Sequence, residues 1–297
     1  MSKYHYLIAS LPEITLDDSK QVYSVFDFKG ELENTLSSKD KKLISFFFLK
    51  YDNRNLLNWL QHESSEQKEE LSWDKRGTLS PSIFEETAYA IKEGKKMNKH
   101  VPSYMGEFLT EYFDPEVREN KEEISIVSWE DKLTTRYYAY AVKCKNKFFS
   151  EWFKLNLTIK NILVAITCNK YGFDKKQYII GDDEIAENLR ASNSRELNVG
   201  EDVEYLSDLL RLADESDLAI REKKIDVLKW EWLEYNTVFK VFDIESVFAY
   251  LLKIEMIERW TNLDKASGEA SFRELISAMK KDSNSALNEF KKKNNKI

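Results

Sequence analysis

The sequence predicts an all-α fold, and its composition and the spacing of its apolar residues are the observations behind that prediction. The 297 residues include only 8 glycines and 4 prolines, whereas β-rich folds use both residue types in their many tight turns. Apolar residues make up 42% of the chain and charged residues 33%, enough to bury a core and keep the outside solvated. A mostly helical protein is therefore favoured over a β-sandwich, a β-barrel or a fold with glycine-rich nucleotide loops.

Three segments carry apolar residues at the spacing of long helices. They are residues 40–61, 152–170 and 243–260, and in each the apolar positions recur about every 3.6 residues. The first segment follows capping serines, and a break is predicted in it near Asp52. The second is apolar on nearly every face, which is typical of a helix in the middle of a bundle. Gly172 is expected to end that second helix.

Shorter helices and linkers complete the predicted organisation. Further helices are expected at residues 81–96, 104–112, 202–213, 223–242 and 271–290, and short extended pieces at 124–129 and 178–180. The polar stretches 63–70 and 181–200 are interpreted as linkers, and the Lys- and Asn-rich residues 291–296 as a solvated terminus.

A repeated pattern suggests that the helices form three similar units. Asn55 and Asn161 each precede a pair of apolar residues in the first and second long helices, and they are 106 residues apart (161 minus 55). The third long helix follows roughly one period later, as a repeat would require. We therefore predict three helical units at residues 1–100, 101–200 and 201–297.

The net charge disfavours a protein that binds nucleic acid through phosphate contacts. The chain has 45 basic and 52 acidic residues, a formal net charge of −7, whereas such proteins normally carry a basic excess. No stretch approaches the roughly 20 apolar residues of a bilayer span, and the apolar start of the chain lacks the features of a signal peptide. The two cysteines, Cys144 and Cys168, fit a reducing compartment. A cytoplasmic protein, soluble or peripheral, is expected.

The sequence contains none of the familiar catalytic or cofactor-binding motifs. It lacks a glycine-rich phosphate loop and a nucleophile elbow. The three histidines, His5, His62 and His100, lie far apart and form no metal-ligand pattern. Cys168, on an apolar helix, is expected to be an inert core residue. No catalytic residue, cofactor site or metal site is therefore predicted.

Two glutamates of the third long helix are the most informative carboxylates. At 100° per residue, Glu255 falls on the predicted buried stripe, and Glu258 lies close to it. A buried carboxylate needs partners, or its pKa rises. One interpretation is that arginine, lysine or backbone groups of neighbouring helices bind both acids. A polar contact with another protein of a complex is a second interpretation, and a catalytic acid is a third.

Abundant aromatic residues, 13% of the chain, raise the question of what the exposed ones bind. Trp59, Trp73, Trp230 and Trp232 lie in mixed surroundings, and exposed aromatic side chains are typical of protein interfaces. Stacking on single-stranded nucleic acid would also use them, but the acidic net charge disfavours that class of partner.

Several stretches resemble a bacterial family of uncharacterised proteins whose genes accompany V-type ATPase operons. They are residues 4–12 (YHYLIASLP), 17–20 (DDSK) and 47–57 (FFLKYDNRNLL). Residues 247–258 (VFAYLLKIEMIE) are similar to the last long helices of one component of the V/A-type ATPase, the subunit designated C in archaea and bacteria and d in eukaryotes. We refer to it as the C/d-type subunit.

The resemblance implies a fold and a function. The C/d-type subunit is all-α, with three similar helical units arranged as a funnel around a pseudo-threefold axis, and its repeated Asn-apolar pattern is echoed at Asn55 and Asn161. It sits on the cytoplasmic face of the membrane rotor ring, receives the central stalk and transmits torque without binding nucleotide. The expected function is therefore a non-catalytic coupling subunit of the rotor, peripheral on the inner face of the cell membrane. Its expected partners are the rotor-ring (proteolipid) and central-stalk subunits.

The candidate structural or interface residues are Asn55, Asn161, Glu255 and Glu258. The alternative function is a free-standing helical scaffold or adaptor that binds another protein. An enzyme that uses a buried acid such as Glu255 is the third hypothesis, and it requires a deep pocket beside that residue.

Overall fold

The computed structural model describes residues 4–18, 23–65, 70–119, 126–194, 197–199 and 203–264. Over these ranges the secondary structure is helical, without a strand, which confirms the predicted all-α class. The helices are α1 (His5–Ser10), α2 (Val25–Thr35), α3 (Ser38–Ser64), α4 (Pro81–Lys92), α5 (Ser103–Phe113), α6 (Pro115–Glu119), α7 (Ile126–Ala141), α8 (Lys147–Tyr171), α9 (Lys175–Tyr178), α10 (Glu184–Ala191), α11 (Leu206–Ala213), α12 (Leu218–Thr237) and α13 (244–264).

The three predicted long helices are α3, α8 and α13, and local side chains explain the ends of the first two. The Ser37 hydroxyl accepts the Asp40 N–H at the start of α3, and the Asn146 side chain accepts the Phe149 N–H at the start of α8. Side-chain acceptors at this position satisfy backbone donors that have no partner in the helix. Gly172 ends α8 with a φ of 74°, a left-handed conformation that glycine adopts without strain.

Helix α3 continues through Asp52, so the predicted break there is wrong. The Asp52 side chain is fully buried, and its carboxylate accepts the N–H groups of Thr78 and Leu79 at 2.6 and 2.9 Å. The polar residue that suggested an interruption is instead an anchor for a neighbouring segment, because these bonds satisfy a buried carboxylate without disturbing the helix backbone.

The long helices meet at an aromatic cluster in the core. The rings of Phe149 and Phe248 stack with centroids 3.9 Å apart, which joins α8 to α13. Phe47 of α3 lies 6.5 Å from Phe248, and its neighbour Phe46 lies 6.4 Å from Phe153 of α8. Stacked and edge-to-face pairs of this kind add to the burial of large apolar surfaces.

Helix α7 lies where the sequence predicts an extended piece at residues 124–129, since α7 begins at Ile126. Trp129, Leu133, Tyr137 and Ala141 are buried, and their spacing of four residues places them on one helical face. Helix α7 packs on α3, α5 and α8. The other predicted extended piece, 178–180, includes the last residue of α9, followed by residues 179–180 in non-helical backbone.

The predicted linker 181–200 contains a helix, α10, so that prediction is wrong in part. The Asp183 carboxylate accepts the Ala186 N–H at 2.8 Å and starts the helix. Ala186 and Leu189 are fully buried, and α10 packs against α8. The segment is polar in composition but amphipathic in pattern. The predicted helix 271–290 and the predicted solvated terminus 291–296 lie outside the described residues.

Among the described residues, no helix is both long enough and apolar enough to cross a bilayer.

Candidate functional site: the polar junctions of the long helices

Asn55 fastens the segment after α3 to the middle of that helix. Its side chain is fully buried. The Asn55 amide donates to the Asp74 carbonyl at 2.9 Å, and its oxygen accepts the Asp74 N–H at 2.8 Å. One side-chain amide thus satisfies both backbone groups of a residue 19 positions later, and asparagine has the donor and acceptor that this pairing requires.

Asn161 makes the same pair of bonds on α8. Its amide donates to the Ile180 carbonyl at 2.7 Å, and its oxygen accepts the Ile180 N–H at 3.0 Å. The separation is again 19 residues, and Asn161 is buried as well. We name the two arrangements the asparagine clamps. The sequence repeat at Asn55 and Asn161 therefore has a structural counterpart, because both residues perform the same task at the same spacing.

The segment held by the first clamp approaches α3 closely at Gly77. A Cβ atom at Gly77 would lie 2.7 Å from Asn55 Nδ2 and 2.7 Å from Asp52 Oδ1, so only glycine fits without a shift of buried polar groups. Lys29 of α2 donates to the Gly77 carbonyl at 2.6 Å. Hydrogen bonds to Asp52, Asn55 and Lys29 thus fix the backbone of this segment.

Glu258 connects α13 to α2 and to the segment held by the first clamp. The Glu258 carboxylate accepts the Val25 N–H at 2.7 Å. Glu258 lies 15 residues after Asp243, which directly precedes α13 (258 minus 243). Asn161 likewise lies 15 residues after Asn146, which caps α8 (161 minus 146). At the depth that Asn161 has in α8, α13 thus carries a polar residue that also binds backbone, through a carboxylate in place of an amide.

Arg76 lies between two acids of this junction. Its guanidinium is 2.7 Å from an Asp74 oxygen and 3.0 Å from a Glu258 oxygen, and it stacks over the Tyr51 ring at 4.3 Å. The hydrogen bonds to Asp74 raise the pKa of Arg76 above its usual value against the opposing effect of burial. Planar forked geometry suits arginine for such a bridge.

Glu255 is half-buried and pairs with Lys50 of α3. The two side chains form an ion pair, and the Tyr51 hydroxyl donates to Glu255 at 3.4 Å. Lys50 also lies over the Phe47 ring, 4.0 Å from its centroid. Burial lowers the pKa of Lys50, while Glu255 acts in the opposite direction. We name the set Lys50, Asp74, Arg76, Glu255 and Glu258 the charged junction.

The contacts of the two glutamates are of the kind that the first interpretation describes. Both carboxylates bind groups of neighbouring elements, namely a lysine, an arginine and a backbone N–H. The sequence does not identify Asp74 and Arg76 as partners, since they lie in a segment without helical spacing. Asp74 and Ile180 each lie 19 residues after their clamping asparagine, a regularity that only the structure reveals.

Because of the charged junction, we expect the protein to lose stability in acid. Burial opposes ionisation of Glu255, but Lys50, together with the charges of Arg259 and Lys229, outweighs this effect and holds the pKa of Glu255 below the ordinary 4.5. A lowered folded-state pKa stabilises the fold above the unfolded-state pKa, and this stabilisation is lost as the pH falls through the folded-state value. The free energy of unfolding, measured by urea titration between pH 6 and 3, should therefore fall below about pH 4.5.

The matched variants for this test are Glu255→Gln and Glu85→Gln. Glu85 is exposed on α4, so its replacement should leave the acid limb of the curve as it is. Glu255→Gln should flatten that limb. Identical acid limbs in the two variants would contradict the assignment of the effect to Glu255.

The remaining sequence candidates are dispersed. His5 and His100 are exposed and His62 is half-buried, and no group of three or more His, Cys, Asp or Glu side chains in the described ranges could hold a metal ion. Cys168 is a buried core residue, as predicted, and burial raises the pKa of its thiol.

The tryptophans expected at an interface are largely internal. Trp59 and Trp230 are buried, and Trp73 and Trp232 are half-buried. Aromatic partners cover part of the two half-buried rings: Trp73 packs on Phe84 and Trp232 on Phe148.

The polar side chains of the charged junction and of the clamps bind one another or backbone groups. These bonds fix the long helices to neighbouring segments.

Comparison with known proteins assigns the chain to a family. No curated protein and no solved structure matches the chain. The sequence model of a family described as "Protein of unknown function (DUF2764)" matches residues 1–283. The chain therefore belongs to the DUF2764 family.

Proposed function

We propose that this protein is a non-catalytic coupling subunit of a V/A-type rotary ATPase, which links the membrane rotor ring to the central stalk in the manner of the C/d-type subunit. The observation that carries the proposal is the pair of asparagine clamps. Each of two long helices has a buried asparagine that binds both backbone groups of the residue 19 positions later. The resemblance to the C/d-type subunit implies a protein that is built from similar helical units.

The convergence of α3, α8 and α13 supports the proposed arrangement. One long helix from each proposed unit contributes to the aromatic cluster around Phe248. Helices that share a close-packed core resist relative movement, and a coupling subunit needs that stiffness to transmit torque.

Contacts between the first and last parts of the chain support a closed arrangement of the units. The Tyr250 hydroxyl donates to the Pro12 carbonyl at 3.2 Å, and the Lys223 ammonium donates to the Leu16 carbonyl at 2.8 Å. Together with the bond from Val25 to Glu258, they join the first proposed unit to the third. Three units around an axis require this closure, whereas an open row of units does not.

The proposal is tested by purifying the ATPase complex and measuring ion transport. Affinity purification through a stalk subunit should recover this chain in constant proportion to the rotor, peripheral on the inner face of the cell membrane. Membranes from cells that lack the chain should hydrolyse ATP without transporting ions. A complex that consistently lacks the chain and transports ions normally would refute the proposal.

An adaptor that binds another protein is the second candidate function, and a groove on α8 favours it. The groove encloses about 410 Å³ between α8 and α9, and its walls are mainly apolar, with Leu163, Val164 and Phe173 among them. Exposed apolar surfaces of this kind are typical of interaction sites. In the adaptor case, the protein purifies with a partner outside the ATPase, and ion transport does not depend on it.

A further inference from the structure

A pocket of about 290 Å³ lies between the C-terminal part of α3, helix α4 and the end of α5. Aromatic side chains from all three helices line it, namely Trp59, Tyr89, Tyr112 and Phe113. The packed core supports one of these walls, because the Tyr112 ring lies edge-on to the buried Trp129 with centroids 5.1 Å apart. The aromatic lining is therefore held in place by the fold itself.

Two carboxylates share the pocket with the aromatic rings. Glu63 of α3 and Glu85 of α4 line it, and both residues are exposed. Within the described ranges, neither carboxylate forms an ion pair with a lysine or an arginine, and Glu63 lies 3.6 Å from the His62 ring nitrogen Nδ1. The faces of aromatic rings also carry partial negative charge. The pocket thus combines two kinds of group that attract a cation.

Two lysines of the chain show that rings of this pocket accept ammonium groups. The Lys92 Nζ atom lies 5.0 Å from the centroid of the Phe113 ring, and the Lys95 Nζ atom lies 4.7 Å from that of Tyr89. Both distances are within the range of about 6 Å for a cation–π contact. This observation points to a cationic ligand independently of the carboxylates.

Lys92 does not neutralise the acidic end of the pocket. Glu85 and Lys92 are seven residues apart on α4 (92 minus 85), which is about 10 Å along a helix. The Lys92 ammonium lies by Phe113, the last residue of α5, and it forms no ion pair with Glu63 or Glu85 in the part of the chain that the structure describes. The carboxylates are therefore available to an external cation.

The size and the apolar floor of the pocket define the ligand further. Pockets for drug-sized ligands enclose about 300 to 1,000 Å³, so a volume of about 290 Å³ suits a small molecule or a single side chain. Leu60 and Ala88, which also line the pocket, are buried apolar residues. An alkylammonium group matches both features, because its carbon atoms can cover apolar surface while its charge faces the rings and carboxylates.

We propose that the pocket between α3, α4 and α5 binds an organic cation with an alkylammonium group, its charge beside Glu63 and Glu85 and its carbon atoms against Trp59 and Tyr89. The group belongs either to a free amine or quaternary ammonium compound or to a basic side chain of another protein. The proposal does not depend on rotor coupling, so a negative result here leaves the proposed function as it is.

Ligand-detected NMR titrations of the full-length protein test the proposal. Choline should bind with a dissociation constant of about 1 mM or below. Its neutral counterpart of the same shape, 3,3-dimethyl-1-butanol, should bind about tenfold more weakly. N-acetyl-lysine amide distinguishes the two sources, since tighter binding than choline assigns the pocket to a protein side chain and weaker binding assigns it to a free cation.

Two outcomes of these titrations would overturn the proposal. One is binding of the alcohol that is as tight as that of the better cation, which would make the pocket an apolar site. The other is the absence of binding for both cations. Neither outcome requires a variant, so the result does not depend on how a substitution affects folding.

Glu85→Gln and Glu86→Gln form a matched pair of variants on one turn of α4. Glu86 accepts a hydrogen bond from Asn98 at 3.1 Å and is not among the residues that line the pocket. Glu85→Gln should weaken cation binding by about threefold or more and leave binding of the alcohol unchanged, whereas Glu86→Gln should weaken cation binding by less than about twofold. Equal weakening by both variants would contradict the proposal and indicate a general attraction to an acidic surface.

Discussion

Replacing Asn161 by leucine is expected to lower the free energy of unfolding by about 2 to 4 kcal/mol, since a buried donor and a buried acceptor each cost about 1 to 3 kcal/mol when left without a partner. Leucine is close to asparagine in size, but it offers nothing to the N–H and carbonyl of Ile180. Urea unfolding monitored by circular dichroism measures the effect. Asn55→Leu should cost a similar amount, because its clamp has the same two bonds.

The matched control is Asn156→Leu on the same helix. The Asn156 amide donates to the Trp152 carbonyl at 2.8 Å, a group one turn back in α8, and the side chain is half-buried. Its loss should change stability by less than about 1 kcal/mol, within the range of a partly exposed hydrogen bond. If Asn161→Leu and Asn156→Leu cost the same, the clamps are not distinctive supports of the fold.

Replacing Arg76 by methionine is expected to cost about 2 to 3 kcal/mol, in the range of hydrogen bonds to charged groups. The variant removes the guanidinium between Asp74 and Glu258, two carboxylates whose side chains are 14% and 13% exposed. Methionine keeps much of the side-chain volume over Tyr51, so the loss reports mainly on charge. Urea unfolding at neutral pH measures it.

Arg54→Met is the matched control for Arg76→Met. Arg54 also lies near Asp74, at 3.7 Å, but its side chain is 64% exposed, and exposed ion pairs contribute little. We expect a change below about 1 kcal/mol. A double-mutant cycle of Arg76→Met with Glu258→Gln should show non-additive losses. Additive losses, or equal losses for the two arginine variants, would contradict the bridging role of Arg76.

The sequence predicts the helices whose apolar periodicity is strong, and it fails where the residues around a short helix are polar. The long helices α3 and α8 lie where the periodicity places them, and Gly172 ends α8 as expected. Helix α10 is hidden within a predicted linker because only two buried residues, Ala186 and Leu189, carry its apolar pattern. Such a short pattern is easily masked by the aspartates and asparagines around it.

For the candidate site, the sequence identifies one member of each contact and misses the other. Asn55, Asn161, Glu255 and Glu258 are recognisable because polar residues on apolar helices require partners. Arg76 and Asp74 are not, because their return to α3 depends on how a non-helical segment folds over a helix. Periodicity contains no information about that path, and a buried carboxylate such as Asp52 resembles a helix break in the sequence.

The bonds between the beginning of the chain and its last helix determine when the fold can be completed during synthesis. The Val25 N–H can bond to Glu258 only after that residue, 233 positions later, has been synthesised. The Pro12 carbonyl can accept from Tyr250 only after a further 238 positions beyond Pro12 have been added. Contacts so distant in sequence form late. On the ribosome, the N-terminal segment therefore emerges long before its docking surface exists, and it can pack in place only after the last long helix has been made.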